Sequence, residues 1–194
     1  MKKFLALLTV PLALALCVTP GLAQMEMGGP MWAFWARAGY ALPMGDFSDA
    51  YDGAIVAGVG GCYMFTEQYG LELSAEWNKF SANDDLMDAL QMLDPDIEDA
   101  TAQISPVMVD FVGSFPAGNM TPYIKGGIGM YFESWEVDSE SESQSDFGFN
   151  IGAGIKFPVA ETTAIEVGAQ MHHILTEDEA TQYVTATVGV GFMF

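Results

Sequence analysis

The feature that most constrains this chain is a period-two alternation of oily residues with small or polar ones, repeated in stretches of about ten residues between turn-rich segments. At that period successive side chains leave a strand on opposite faces. In the final stretch Val184, Ala186, Val188, Val190, Phe192 and Phe194 share one face, opposed by Thr185, Thr187, Gly189, Gly191 and Met193. An earlier stretch divides the same way, with Phe147, Phe149, Ile151, Ala153, Ile155 and Phe157 against Gly148, Asn150, Gly152, Gly154 and Lys156. Beyond Gln24 no window approaches the ~20 consecutive apolar residues of a spanning helix. Oily faces repeated on strands, with glycine on the opposite face, describe a narrow barrel that turns its apolar side to lipid.

The alternation predicts strands over 31–42, 53–65, 69–80, 104–115, 121–133, 146–157, 163–175 and 181–194, an even number of eight. The fold class this implies is an all-β, antiparallel, up-and-down transmembrane barrel. Connections near 66–68, 116–119 and 158–162 are short, whereas those near 43–52, 81–103, 134–145 and 176–180 are mostly longer and acidic. Short periplasmic turns and longer external loops are the asymmetry of outer-membrane barrels. Aromatics near strand ends, among them Trp32, Tyr69, Trp77, Phe80, Tyr123, Trp135, Tyr183 and Phe194, are expected to form two interfacial girdles.

The chain begins with Lys2 and Lys3, followed by an apolar run from Phe4 to Val18 that is broken by Pro11 and ends at Gly21, Leu22 and Ala23. This is the pattern of a secretory signal, with cleavage expected between Ala23 and Gln24. The expected organisation is therefore a signal peptide over 1–23 and one barrel domain over 24–194. Cys17 invites a lipidation reading, but Leu16 stands before it, where a small residue is required. Cys62 is then the only cysteine after cleavage, so no intramolecular disulfide is expected. The whole chain holds 6 basic residues, two of them Lys2 and Lys3, against 26 acidic ones, which argues against nucleic-acid binding.

Gly39-Tyr40 through Pro43, Gly45-Asp46-Phe47, Gly58-Val59-Gly60-Gly61, Tyr69-Gly70-Leu71-Glu72-Leu73 and the ending Val190-Gly191-Phe192-Met193-Phe194 together resemble the outer-membrane protein β-barrel domain family. That family includes the opacity proteins and the OmpA and OmpX barrels. The resemblance implies an eight-stranded barrel over nearly all of the chain after Gln24 and a place in the outer membrane. It also implies that Phe192 and Phe194 resemble the signal read by the barrel-assembly machinery. The family has no shared catalytic motif.

Residues placed on the inner faces include Arg37, Glu72, Glu76, Asp110, Lys125, Lys156 and Glu166, with Asn150, Gln170 and His172 among the uncharged polar ones. Cations and carboxylates sharing a poorly hydrated lumen are best explained as neutralising one another, because an unpaired charge there is costly. A catalytic acid pair and an ion-selective conduit are the competing readings. Alternation sends His172 and His173 to opposite faces, which does not suit a shared metal. Some eight-stranded barrels deacylate lipid A with a Ser two residues after a His. Here Ile174 and Leu175 hold those places, so no enzyme activity is expected.

Most of the acids are counted with the longer loops, among them Glu133, Asp138, Glu177, Asp178 and Glu179. The plain explanation is a solvated, self-repelling surface; the sharper one is weak binding of Ca²⁺ or Mg²⁺, directly or as a bridge to lipopolysaccharide phosphates. Asp94, Asp96, Glu98 and Asp99 are the candidate metal cluster, and no other cofactor is expected. The spacing of Asp94, Asp96 and Glu98 mimics the start of an EF-hand loop. Asp99 replaces its required glycine and Ser105 its closing glutamate, so no EF-hand is present. In the same loop Leu86, Met87, Leu90 and Leu93 share one face of a short helix expected to begin at Asp84 or Asp85 and to stop before Pro95. The functional expectation is a monomeric, non-enzymatic barrel presenting acidic loops, in adhesion or envelope integrity. Its partners would be outer-membrane lipid, lipopolysaccharide, the barrel-assembly machinery and an extracellular partner. The alternative is a small passive channel or hydrophobic-ligand conduit.

Overall fold

In lipid a sheet has no water to satisfy its edges, so it must close on itself. The computed structural model, which describes residues 31–137, 140–176 and 180–194, shows that closure. Eight antiparallel strands run in the order β1 to β8, and β1 pairs with β8. They are β1 (Met31–Met44), β2 (Ala54–Met64), β3 (Tyr69–Ser81), β4 (Ala100–Ser114), β5 (Thr121–Val137), β6 (Glu140–Ala160), β7 (Thr163–Ile174) and β8 (Thr181–Met193). At the seam the Phe194 amide donates to the Trp32 carbonyl at 2.8 Å and the Trp32 amide to the Phe194 carbonyl at 3.1 Å. The last residue of the chain therefore completes the closing ladder. Phe192 and Phe194 both turn outward, at 51% and 74% exposure.

Facing follows the alternation. Ile151, Val190, Leu73, Val109 and Ile128 are exposed on the outer wall, while Asp110, Glu166 and Tyr131 are buried inside. Around the short-turn end the outward aromatics touch one another: Trp32 and Tyr63 at 4.8 Å between centroids, Tyr69 and Phe111 at 5.7 Å, Phe34 and Phe194 at 6.3 Å. Those aromatics mark one girdle. Trp77, Phe132 and Phe147, also exposed, mark the other boundary. Phe80, Tyr123 and Tyr183, which the sequence assigned to the girdles by position alone, are instead buried in the lumen, and Trp135, assigned likewise, packs against the inner cluster at the long-loop end. Each falls on the inward phase of its strand, and phase overrides nearness to a strand end.

The turns explain themselves locally. The Thr66 hydroxyl oxygen accepts from the amides of Gln68 and Tyr69, at 3.2 and 2.9 Å, closing the β2–β3 turn. Gly118 takes a φ of +65° in the β4–β5 turn, a conformation that favours glycine. The long connections hold more structure than loops. The 134–145 segment is largely strand, because β5 and β6 stay paired out to Val137 and Glu140, and β4 begins at Ala100 rather than 104. Ser alternating with Glu or Gln at 140–145 has no oily face to announce a strand, yet the paired backbone needs none outside lipid. Two helices lie at this end, α1 (Phe47–Ala50) and α2 (Asp84–Leu93). The first was not foreseen; the second has the bounds that its acidic start and Pro95 imply. The expected export segment 1–23 and the loop acids Asp138, Glu177, Asp178 and Glu179 lie outside the described residues.

Replacing outward Val190 by Arg is expected to destabilise the barrel in lipid vesicles by about 2–4 kcal/mol, while Ser141→Arg on the projecting hairpin changes almost nothing. Urea unfolding of both variants in the same vesicles checks this; equal stabilities would contradict the assigned facing.

Candidate functional site

The inward side chains sort into three layers along the barrel axis. At the short-turn end Ala33, Trp35, Cys62, Met64, Val112, Tyr123 and Ala164 form an apolar cluster. At the long-loop end a second cluster is built from Val56, Phe80, Ile104, Met108, Tyr131, Ile174 and Tyr183 with small alanines, and Phe47 of α1, Tyr51 and Trp135 pack against it. Between them lies a belt of charge.

Arg37 is the centre of the belt. Its guanidinium donates two parallel hydrogen bonds to Glu72, at 2.7 and 2.9 Å, and its Nε donates to Glu166 at 2.8 Å. The fork-to-carboxylate pairing fixes direction as well as distance. Lys125 Nζ lies 3.2 Å from the same Glu72 carboxylate and 3.6 Å from Asp110. Lys156 follows a different solution: its ammonium sits 4.7 Å from the Trp35 ring centre and 4.9 Å from that of Tyr123, held between two aromatic faces. Glu76 lies 3.9 Å from His172 Nε2. Of the seven lumen residues that alternation selects, five are therefore tied to one another by ion pairs, Glu76 sits beside the His172 ring, and Lys156 is held by rings.

His172 is fully buried and stacks flat on Tyr183, with centroids 4.4 Å apart and planes within 6°. Its Nδ1 lies 3.1 Å from the Tyr131 hydroxyl. His173 points the other way and stacks on outward Phe149 at 4.6 Å. The two histidines thus belong to different surfaces. The aromatic sleeve of Lys156 went unseen in sequence, since Trp35 and Tyr123 lie far apart along the chain. Glu133 was also misplaced: counted with the loop acids, it is a buried inward residue of β5, in phase with Tyr131 and Lys125. Its phase was legible, and assigning it to a loop by position discarded that signal.

The four acids proposed as a cation cluster lie on the exposed segment after α2. Asp94, Asp96, Glu98 and Asp99 are all exposed, and the Asp94 carboxylate is engaged in accepting the Asp96 amide at 3.1 Å. Among the described residues no group of three or more His, Cys, Asp or Glu side chains is placed to hold a metal ion.

A closed antiparallel barrel with a lipid-facing apolar wall, aromatic girdles and a filled lumen defines a transmembrane barrel of the outer membrane. The model of the outer membrane protein beta-barrel domain matches residues 12–194, and the chain belongs to that family. Its fold is similar to that of Neisserial surface protein A, with a TM-score of 0.64 at 10% identity, over 86% of this chain and 100% of the other. It also resembles Ail of Yersinia pestis, with a TM-score of 0.57 at 17% identity, over 87% of this chain and 100% of the other. The N-terminal barrel of Pseudomonas aeruginosa OprF gives a TM-score of 0.56 at 18% identity, over 87% and 100%. A search of curated proteins finds no significant match. The protein is an outer-membrane barrel.

Glu72 faces both Arg37 and Lys125, so truncating it leaves two buried cations short of a partner. Glu72→Ala is expected to cost about 3–5 kcal/mol, whereas Glu67→Ala, in an exposed turn, should stay within about 0.5 kcal/mol of the parent. Equilibrium unfolding of the reconstituted variants distinguishes the two.

Proposed function

We propose that this protein works as a non-enzymatic anchor: a sealed barrel that fixes acidic external loops at the cell surface, in adhesion or in organising the envelope. One observation carries the reading. The lumen is filled by its own side chains, with the Arg37–Glu72–Glu166–Lys125 belt enclosed between two apolar clusters. A conduit needs continuous water or an open apolar passage, and this stack of layers offers neither. Nothing in the belt has the arrangement of a nucleophile beside an orienting base. Function then rests on what the loops present.

What they present is negative charge. From Phe80 to Ile124 the chain has no Lys or Arg, and the whole sequence carries a net charge of −20. Ail has been solved in complex with the heparin analogue sucrose octasulfate. Such a polyanion is repelled by the acids here, so a different partner chemistry is required. Lipid meets the apolar wall, and lipopolysaccharide phosphates meet the acids only across screening cations. The exposed acids at 94–99 contribute to that diffuse field rather than to a defined metal site.

Planar-bilayer recording of the purified protein tests the sealed anchor. Insertion without resolvable unitary conductance is expected. Steady, voltage-independent openings would replace this reading with that of a small channel.

A further inference from the structure

The most exposed large apolar side chains among the described residues are not on the lipid-facing wall. They are Met92 and Leu93, each 85% exposed, in the last turn of α2. Lipid does not account for them. Trp77 is the last outward aromatic of β3, and the next outward residue, Lys79, is paired at 4.0 Å with Glu136 of the projecting hairpin. The apolar band has ended there, and α2 lies beyond it in the chain.

The helix is also held rather than trailing. The Asn83 side-chain oxygen accepts from the Leu86 amide at 2.9 Å, capping the helix, and its amide group donates to the Asp49 carbonyl at 2.8 Å. The Asn83 backbone amide donates to the Ala50 carbonyl at 3.0 Å, so the start of α2 is tied to α1. With its N-terminal end fixed, the helix carries Met92 and Leu93 at its far end. No residue of α2 is buried, and Leu90, one turn before the tip, is only half-buried. Leu86, Leu90 and Leu93 follow one another at helical spacing on one face. The surroundings of that face are acidic. Asp88 precedes Met92 by one turn, Asp94 follows Leu93 directly, and Asp96 is also exposed.

We propose that the tip of α2 is a docking surface for an amphipathic, cationic protein helix, one with an apolar stripe flanked by Lys or Arg. This rests on the reading of the external loops as the functional surface and gives that surface a partner class. Charge selects the occupant. A second copy would set acids against acids, and an anionic lipid surface would do the same with phosphates. A neutral apolar partner would desolvate the carboxylates without supplying a countercharge. A cationic amphipathic helix covers Met92 and Leu93 and places ammonium or guanidinium groups near Asp88 and Asp94, the helix-on-apolar-surface mode of peptide recognition.

The test uses the whole barrel in nanodiscs of zwitterionic lipid. The probe is a fluorescent Leu/Lys peptide in amphipathic helical order, compared by anisotropy with a scrambled peptide of the same composition. Empty nanodiscs supply the background, and heat-shifted mobility in SDS gels confirms that each variant is folded. The amphipathic peptide should bind at least tenfold tighter than the scrambled one. Met92→Ser with Leu93→Ser should weaken it at least tenfold while all acids remain. Asp88→Asn with Asp94→Asn should weaken it comparably, and so should raised salt. The proposal is overturned if the Met92/Leu93 variant binds like the parent, since loop charge alone would then explain attraction. It is equally overturned if order in the peptide makes no difference, or if the parent self-associates through these two residues. The binding assay is independent of whether the lumen conducts, so its failure and failure of the sealed-anchor reading are separate results.

Discussion

The structure depends on what fits inside a ring of eight strands. Such a ring has room only for its own side chains, and every bulky inward residue must find space on a neighbouring strand. Glycine provides it. A Cβ on Gly148 would lie 2.7 Å from the Tyr131 ring, one on Gly154 would lie 2.6 Å from the Tyr123 hydroxyl, and one on Gly189 would lie 2.9 Å from Arg37 Cγ. At Gly191 the added carbon would strike the face of Trp35. The inner glycines and the large inward residues are therefore two halves of one packing scheme. Arg37 reaches Glu72 and Glu166 because Gly189 leaves room beside its stem.

That packing makes the charge belt possible and also makes it costly to disturb. Buried ions gain little over a well-packed apolar core, but a single ion stripped of its partner is strongly destabilising. In this lumen each cation has a defined answer: Arg37 takes two carboxylates, Lys125 takes Glu72 and Asp110, and Lys156 takes two rings. The belt and the two apolar layers together occupy the inside of a cylinder whose outer wall is ordinary lipid-facing alternation. At the long-loop end a paired hairpin and a capped helix carry acidic and apolar groups, and the proposed function rests on them.

Much of this was legible in the sequence because period two is a face assignment. Once Val190 is outward, Gly189 and Gly191 are inward, and the same logic placed Arg37, Glu72, Asp110 and Lys125 in one lumen. What alternation cannot give is which strands stand across from each other. The sleeve of Trp35 and Tyr123 around Lys156 depends on barrel closure, whereas the stacking of His172 on Tyr183 follows from the β7–β8 register, which sets the two residues directly opposite each other. Errors arose where position replaced phase, as with Phe80, Tyr123, Tyr183 and Glu133. The 134–145 hairpin was hidden because strands outside lipid carry no oily face.

The central claim is that the lumen is held shut by mutually dependent charges, and a double-mutant cycle on Arg37 and Glu72 tests it most directly. The measurements are unfolding free energies in lipid vesicles for the parent, Arg37→Met, Glu72→Met and the double variant. If the charges depend on each other, the double variant should lose about 2–3 kcal/mol less than the sum of the single losses. Strictly additive losses would show that the two side chains act as independent fillers, and the account of the lumen as a charge-locked plug would be wrong.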